Sequence, residues 1–123
     1  MPTVRVLIAD DQRLFAEALE AILGADDRIE VVGRAGNGAE AVELARERDP
    51  DVVLMDLSMP VLDGFEATRS IVSESDPPAV LVLTGSDSAA DVARARDAGA
   101  AGYMTKDHIA SELVAAILHA VGA

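Results

Sequence analysis

Polar residues stand where strand-sized apolar runs end: Asp10 and Asp11 after Val4–Ala9, Asp56 after Val52–Met55, Thr84 after Val80–Leu83, and Lys106 just past residues 101–104. If those ends share one edge of a sheet, three carboxylates, a hydroxyl and an ammonium converge there. Each alone has a plain structural explanation, because acids favour helix N-termini, threonine suits a strand and a surface lysine is a solvated charge. Their recurrence at successive strand ends is what marks a site. Two carboxylates about 5 Å apart at an effective dielectric near 20 repel by roughly 3 kcal/mol. Three of them therefore call for a cation. An all-oxygen donor set suits a hard divalent ion, and Mg²⁺ is the expected one in a cytoplasm. With that charge present a phosphoryl group can approach, whereas without it only Lys106 opposes the repulsion.

The elements that must position these residues follow from periodicity. Continuous and period-2 apolar runs predict strands at about 4–9, 29–35, 51–56, 79–84 and 101–104. Between and after them, 3.6-residue patterns predict helices near 13–24, 38–48, 64–74, 87–98 and 109–121. Phe15, Ala18, Leu19, Ile22 and Leu23 fall on one face of the first helix. Asn37 with Glu40 and Asp63 with Glu66 have capping spacing, and Gly99 can end the fourth helix. Nearly unbroken apolar strands alternating with helices predict an open, doubly wound α/β sheet, in which functional groups collect at the carboxyl ends of the strands. With no visible linker or repeat, residues 1–123 are expected to form one domain.

Composition narrows the function classes. A formal net charge of −12 disfavours direct nucleic-acid or anionic-lipid binding by this segment. No apolar stretch approaches the roughly 20 residues of a membrane span, and the N-terminus lacks the pattern of a signal peptide. With no cysteine, thiolate metal sites and disulfides are excluded, and a cytoplasmic location is the expectation.

Asp10-Asp11, the run Met55-Asp56-Leu57-Ser58-Met59-Pro60-Val61-Leu62-Asp63-Gly64, Thr84, and Gly102-Tyr103-Met104-Thr105-Lys106 together resemble the receiver domains of two-component response regulators. The resemblance covers essentially the whole chain. It implies a flavodoxin-like (βα)5 fold of CheY-like type with strand order 2-1-3-4-5. It further implies that Asp56 accepts a phosphoryl group from a sensor histidine kinase. Asp11, Asp56 and the backbone carbonyl of Ser58 would ligate Mg²⁺, with Asp10 acting through bound water, while Thr84 and Lys106 would hold phosphoryl oxygens. Lys106 is the only lysine, and its compact ammonium suits a tight phosphoryl pocket better than a guanidinium fork. Thr84 and Tyr103, the only tyrosine, would form the switch that reshapes the face of the fourth helix, fifth strand and fifth helix. The fourth helix is alanine-rich, with Ala89, Ala90, Ala93, Ala95 and Ala98 around a single aliphatic anchor, Val92, so its displacement is cheap. In the fifth helix, Val114 and Leu118 widen the stripe of Leu113, Ala116, Ile117 and Val121, which suits either core burial or contact with a second protomer or appended domain.

Two positions depart from the family pattern: Gly85 stands where alanine is frequent, and Asp107 replaces the proline common after the lysine. Asp107 is similar to receivers that precede a LuxR-type helix-turn-helix domain, which implies control of transcription through a further domain. Rival readings are weaker. Gly36-Asn37-Gly38-Ala39-Glu40-Ala41 matches a dinucleotide-binding fingerprint, yet Asn-Gly equally serves a turn and cap. An aspartyl phosphatase resembling the haloacid dehalogenases needs an acid-base aspartate where Ser58 stands, and Asp10-Asp11-Gln12 would repel the phosphate of a flavin.

Overall fold

A computed structural model describes residues 3–57, 59, 63–85 and 88–122. The chain runs β1 (Val4–Ala9), α1 (Arg13–Gly24), β2 (Ile29–Ala35), α2 (Gly38–Arg48), β3 (Val52–Asp56), α3 (Gly64–Val72), β4 (Ala79–Thr84), α4 (Ala89–Ala98), β5 (Gly102–Thr105), a short 3-10 turn (Lys106–His108) and α5 (Ile109–Ala120). The strands form one five-stranded sheet in the order β2-β1-β3-β4-β5, and every pairing is parallel. This is the flavodoxin-like arrangement expected above.

The apolar strands are continuous because both faces of the sheet are covered. Val6, Ile8, Val52, Leu54, Leu81 and Leu83 pack under α1 and α5. Their neighbours Leu7, Ala9, Val53, Met55, Val80 and Val82 pack under α2, α3 and α4. The two-residue alternation of a strand thus divides each run between two cores.

Caps set the helix boundaries. Asn37 and Asp63 each accept from the backbone N–H three residues on, at 2.8 and 2.9 Å, as their spacing predicts. Ser88 does the same for Asp91 at 3.1 Å, so α4 starts at Ala89 rather than 87. Residue 87 itself lies outside the described residues. The α3 helix stops at Val72, two residues early, where the Ser73 N–H closes on Arg69. β5 extends to Thr105 because that residue pairs with Thr84. Within α1 the buried alanine is Ala16, not Ala18, which is exposed. Gly99 ends α4 with φ of 104° and abuts α3, where a Cβ would come within 2.6 Å of Val72 Cγ2.

Candidate functional site

Strand register delivers the polar residues to one edge, step by step. Ala9 pairs with Met55, which brings Asp10 level with Asp56. Asp56 pairs with Leu83, so Thr84 lies one residue beyond it, and Thr84 pairs with Thr105, so Lys106 follows in turn. The β3–α3 junction is close-packed: a side chain on Gly64 would strike the backbone of Asp56 and Leu57, and Gly64 N–H donates to Leu57 O at 3.1 Å. Only glycine lets α3 start this near to Asp56.

The carboxylates of Asp10, Asp11 and Asp56 each present an oxygen within 4.8 Å of the others. Asp10 and Asp56 are buried, and Asp11 faces solvent at the mouth of the site. Lys106 Nζ bridges the buried pair, 3.3 Å from Asp10 Oδ2 and 3.3 Å from Asp56 Oδ1. Asp10 Oδ1 accepts from Gln12 N–H at 2.8 Å, which fixes that carboxylate at the start of α1. Thr84 is buried at the end of β4, and Tyr103 is half-buried against the core beneath α2, α3 and α4. All the described sequence-predicted site residues except Tyr103 thus stand at the strand ends; Tyr103 sits within β5, and Ser58 lies outside the described residues.

The donor set fits a hard divalent cation, since it offers oxygens only, and negative charge exceeds the one ammonium present. An open cleft of about 330 Å³ adjoins Asp10 and Asp11 and is flanked by Arg13 and Arg34. A second cleft, about 410 Å³ between α2 and the α3–β4 loop, contains none of these residues. Next to the lysine, the Thr105 hydroxyl holds the Asp107 carboxyl below the usual carboxylate range, with His108 adding to the effect.

Two contacts of Lys106 were invisible in the sequence pattern. Gln12 Oε1 lies 3.4 Å from Nζ, and the ring of Phe15 lies beneath the ammonium with its centroid 4.2 Å away. Phe15 packs on the apolar face of α1, as its spacing predicts, and it also reaches the site. The dinucleotide-like segment has a different occupation. Asn37 caps α2, and Glu40 Oε1 accepts from Gly36 N–H at 3.0 Å, placing a carboxylate where a pyrophosphate would need a free donor.

Fold and site together define a receiver domain, and the chain belongs to the response regulator receiver domain family, whose model matches residues 6–118. It is 40% identical over 115 residues to the transcriptional regulatory protein LnrK of Bacillus subtilis (strain 168), covering 94% of this chain and 52% of LnrK. Among solved structures, the signal receiver domain of NarL from Mycobacterium tuberculosis superposes with a TM-score of 0.95 at 37% identity, covering 99% of this chain and 98% of that one. A two-component response regulator of the LuxR family from Aurantimonas sp. SI85-9A1 gives 0.92 at 35% identity, covering 98% and 86%. The chain spans about half the length of curated relatives such as LnrK. No helix among the described residues is long and apolar enough to cross a membrane.

Proposed function

We propose that Asp56 is the phosphoacceptor of this receiver domain and that a sensor histidine kinase is its donor. An Asp56 carboxylate oxygen attacks the phosphorus of a phosphohistidine, forming a P–O bond as the P–N bond breaks. The electron pair of the broken bond returns to the imidazole, which takes up a proton, and an aspartyl phosphate results. Water later attacks the phosphorus, the P–O bond to Asp56 breaks, and inorganic phosphate leaves as the carboxylate is restored. The role is regulatory: the chain modifies itself rather than turning over a separate substrate.

The observation that carries this reading is the Lys106 ammonium 3.3 Å from Asp56, set among three carboxylates that share one cation-sized space. Asp11, Asp56 and the Ser58 carbonyl would hold Mg²⁺, with Asp10 acting through water. When bound, that ion offsets the charge of the carboxylates and of the incoming phosphoryl oxygens. Lys106 and Thr84 hold phosphoryl oxygens, so catalysis here is positioning and charge neutralisation. Thr84 and Tyr103 then carry the switch, reshaping the α4–β5–α5 face.

Residues 1–123 act as one receiver unit in the cytoplasm, controlling transcription through a helix-turn-helix domain elsewhere in the protein. The net charge of −12 argues against DNA contact by this segment. Val114 packs against the core, which leaves Leu118, half-buried on α5, as the residue that supports a homodimer. Intact mass after treatment with a small phosphodonor and Mg²⁺ tests the core of the proposal. Wild type gains one phosphoryl group and Asp56→Asn gains none, whereas a labelled variant moves the site elsewhere. Native mass of the same sample reports dimerisation, and an unchanged monomer removes that part.

A further inference from the structure

Lys106 lies over the ring of Phe15 as well as against the acidic cluster. The ammonium faces two kinds of partner: the oxygens of Asp10, Asp56 and Gln12 at 3.3, 3.3 and 3.4 Å, and the face of an aromatic ring 4.2 Å away. The carboxylate partners cannot be kept through the reaction. A divalent cation would compete for the oxygens of Asp10 and Asp56 before any phosphoryl oxygen has arrived to take their place. In that interval a four-carbon stem with three rotatable donors would be free to leave. The ring attracts a cation through its quadrupole, and neither metal nor phosphate competes for that face. Phe15 is half-buried among the residues that pack under α1 and α5, so the ring itself is fixed. The Lys106 side chain retains only 19% exposure, which keeps water from weakening the contact.

We infer that Phe15 is a positioning residue for phosphoryl transfer, holding the Lys106 ammonium at the site while its carboxylate partners change hands. The inference rests on Asp56 being the phosphoacceptor, and it adds a residue that acts through another rather than on the phosphoryl group. Removing the ring slows phosphorylation without removing any charged group. Cation–π attraction of the usual strength corresponds to a loss of roughly three- to thirtyfold in rate.

Because Lys106 is the only lysine, lysine-selective labelling gives a single set of side-chain resonances, and the ring should shift its ε-methylene signal upfield. That shift is expected in wild type, is retained in Phe15→Trp and is lost in Phe15→Leu. Phosphorylation by a small phosphodonor at saturating Mg²⁺ is measured in parallel on a series carrying one, two and three fluorines on the Phe15 ring. These substitutions drain the ring's negative face while nearly preserving its shape. The logarithm of the rate should fall in step with fluorination. An upfield signal that persists in Phe15→Leu, or rates indifferent to fluorine, overturns the inference. Label appearing in Asp56→Asn sinks the phosphoacceptor reading instead, and the resonance shift still decides whether Phe15 holds the lysine.

Discussion

Two helices leave the carboxyl edge of the sheet on opposite faces, and they are anchored very differently. α1 buries Leu19 and Leu23 at 1% and 0% exposure, with Phe15 and Ile22 packed beside them. α4 buries only Ala95 and Ala98, and Val92, its one larger aliphatic side chain, is half-exposed. A fully buried leucine is worth about 1.5–3 kcal/mol relative to exposure, whereas an alanine methyl contributes a fraction of that. α1 follows Asp10 and Asp11 and lends Phe15 to Lys106, whereas α4 follows Thr84. The site therefore has a fixed wall and a movable one. The switch proposed at Thr84 would meet little resistance on the α4 side, while the acidic cluster would keep its geometry on the other.

The largest effect should come from attacking the fixed wall. Leu19→Ala is expected to lower unfolding free energy by about 2–5 kcal/mol, because the residue is fully buried and its neighbours can only partly fill the cavity. Val92→Ala, at a half-exposed position, should cost about 1 kcal/mol or less. Urea titration of both variants measures the contrast directly. Equal losses would mean that α4 is held as firmly as α1, and the distinction between the walls would fall.

Much of this was legible before any coordinates. Strand ends, helix boundaries within about two residues, and the caps at Asn37 and Asp63 all express local chemistry, and the polar residues at the carboxyl edge followed once the strands were known. Strand order was of another kind, since alternating β and α elements do not fix it; it came from the resemblance to receiver domains. Side-chain contacts between remote segments were not legible at all. Phe15 satisfies the apolar period of α1 whether or not a lysine lies over it, and nothing in the pattern distinguishes those cases. Ala16 and Ala18 show the same limit on a smaller scale. Both are small and lie on opposite flanks of the apolar stripe of α1, and it is the Ala16 flank that is turned to the sheet.

What secures α4 in place of aliphatic burial is partly a cation. Arg94 lies over Phe65 with its guanidinium carbon 3.9 Å from the ring centroid, linking α4 to the first turn of α3 just after the packed Gly64. Arg94→Ala should destabilise the protein by only about 0.5–1 kcal/mol, the usual worth of such a pair near the surface. Its local effect should be plainer: amide hydrogen exchange is expected to quicken within α4 and to remain unchanged in α1. Exchange that rises equally in both helices would show a general loss of stability, and Arg94 would not be a tether of the movable wall.

The smallest effect probes the far end of α1. There Asp26 accepts from the backbone N–H of Arg28 at 2.9 Å and from its guanidinium at 2.9 and 2.7 Å, closing the turn into β2. The Arg28 side chain, then its backbone N–H, lowers the Asp26 pKa from 3.8 to about 2. Because the folded value lies below the unfolded one, the unfolded chain binds more protons between them. The stabilisation is therefore present above about pH 3.8 and is lost as the pH falls towards 2. Asp26→Asn keeps an acceptor for the backbone N–H and removes the charge, so the variant should already lack this contribution at neutral pH. The gap in urea midpoint between wild type and variant should be small at pH 5 and should close on the way to pH 2. Solvent screening limits the gap, as both side chains lie near the surface. A gap of constant size across that range would assign it to packing rather than charge, and the turn would then contribute nothing electrostatic to the fixed wall.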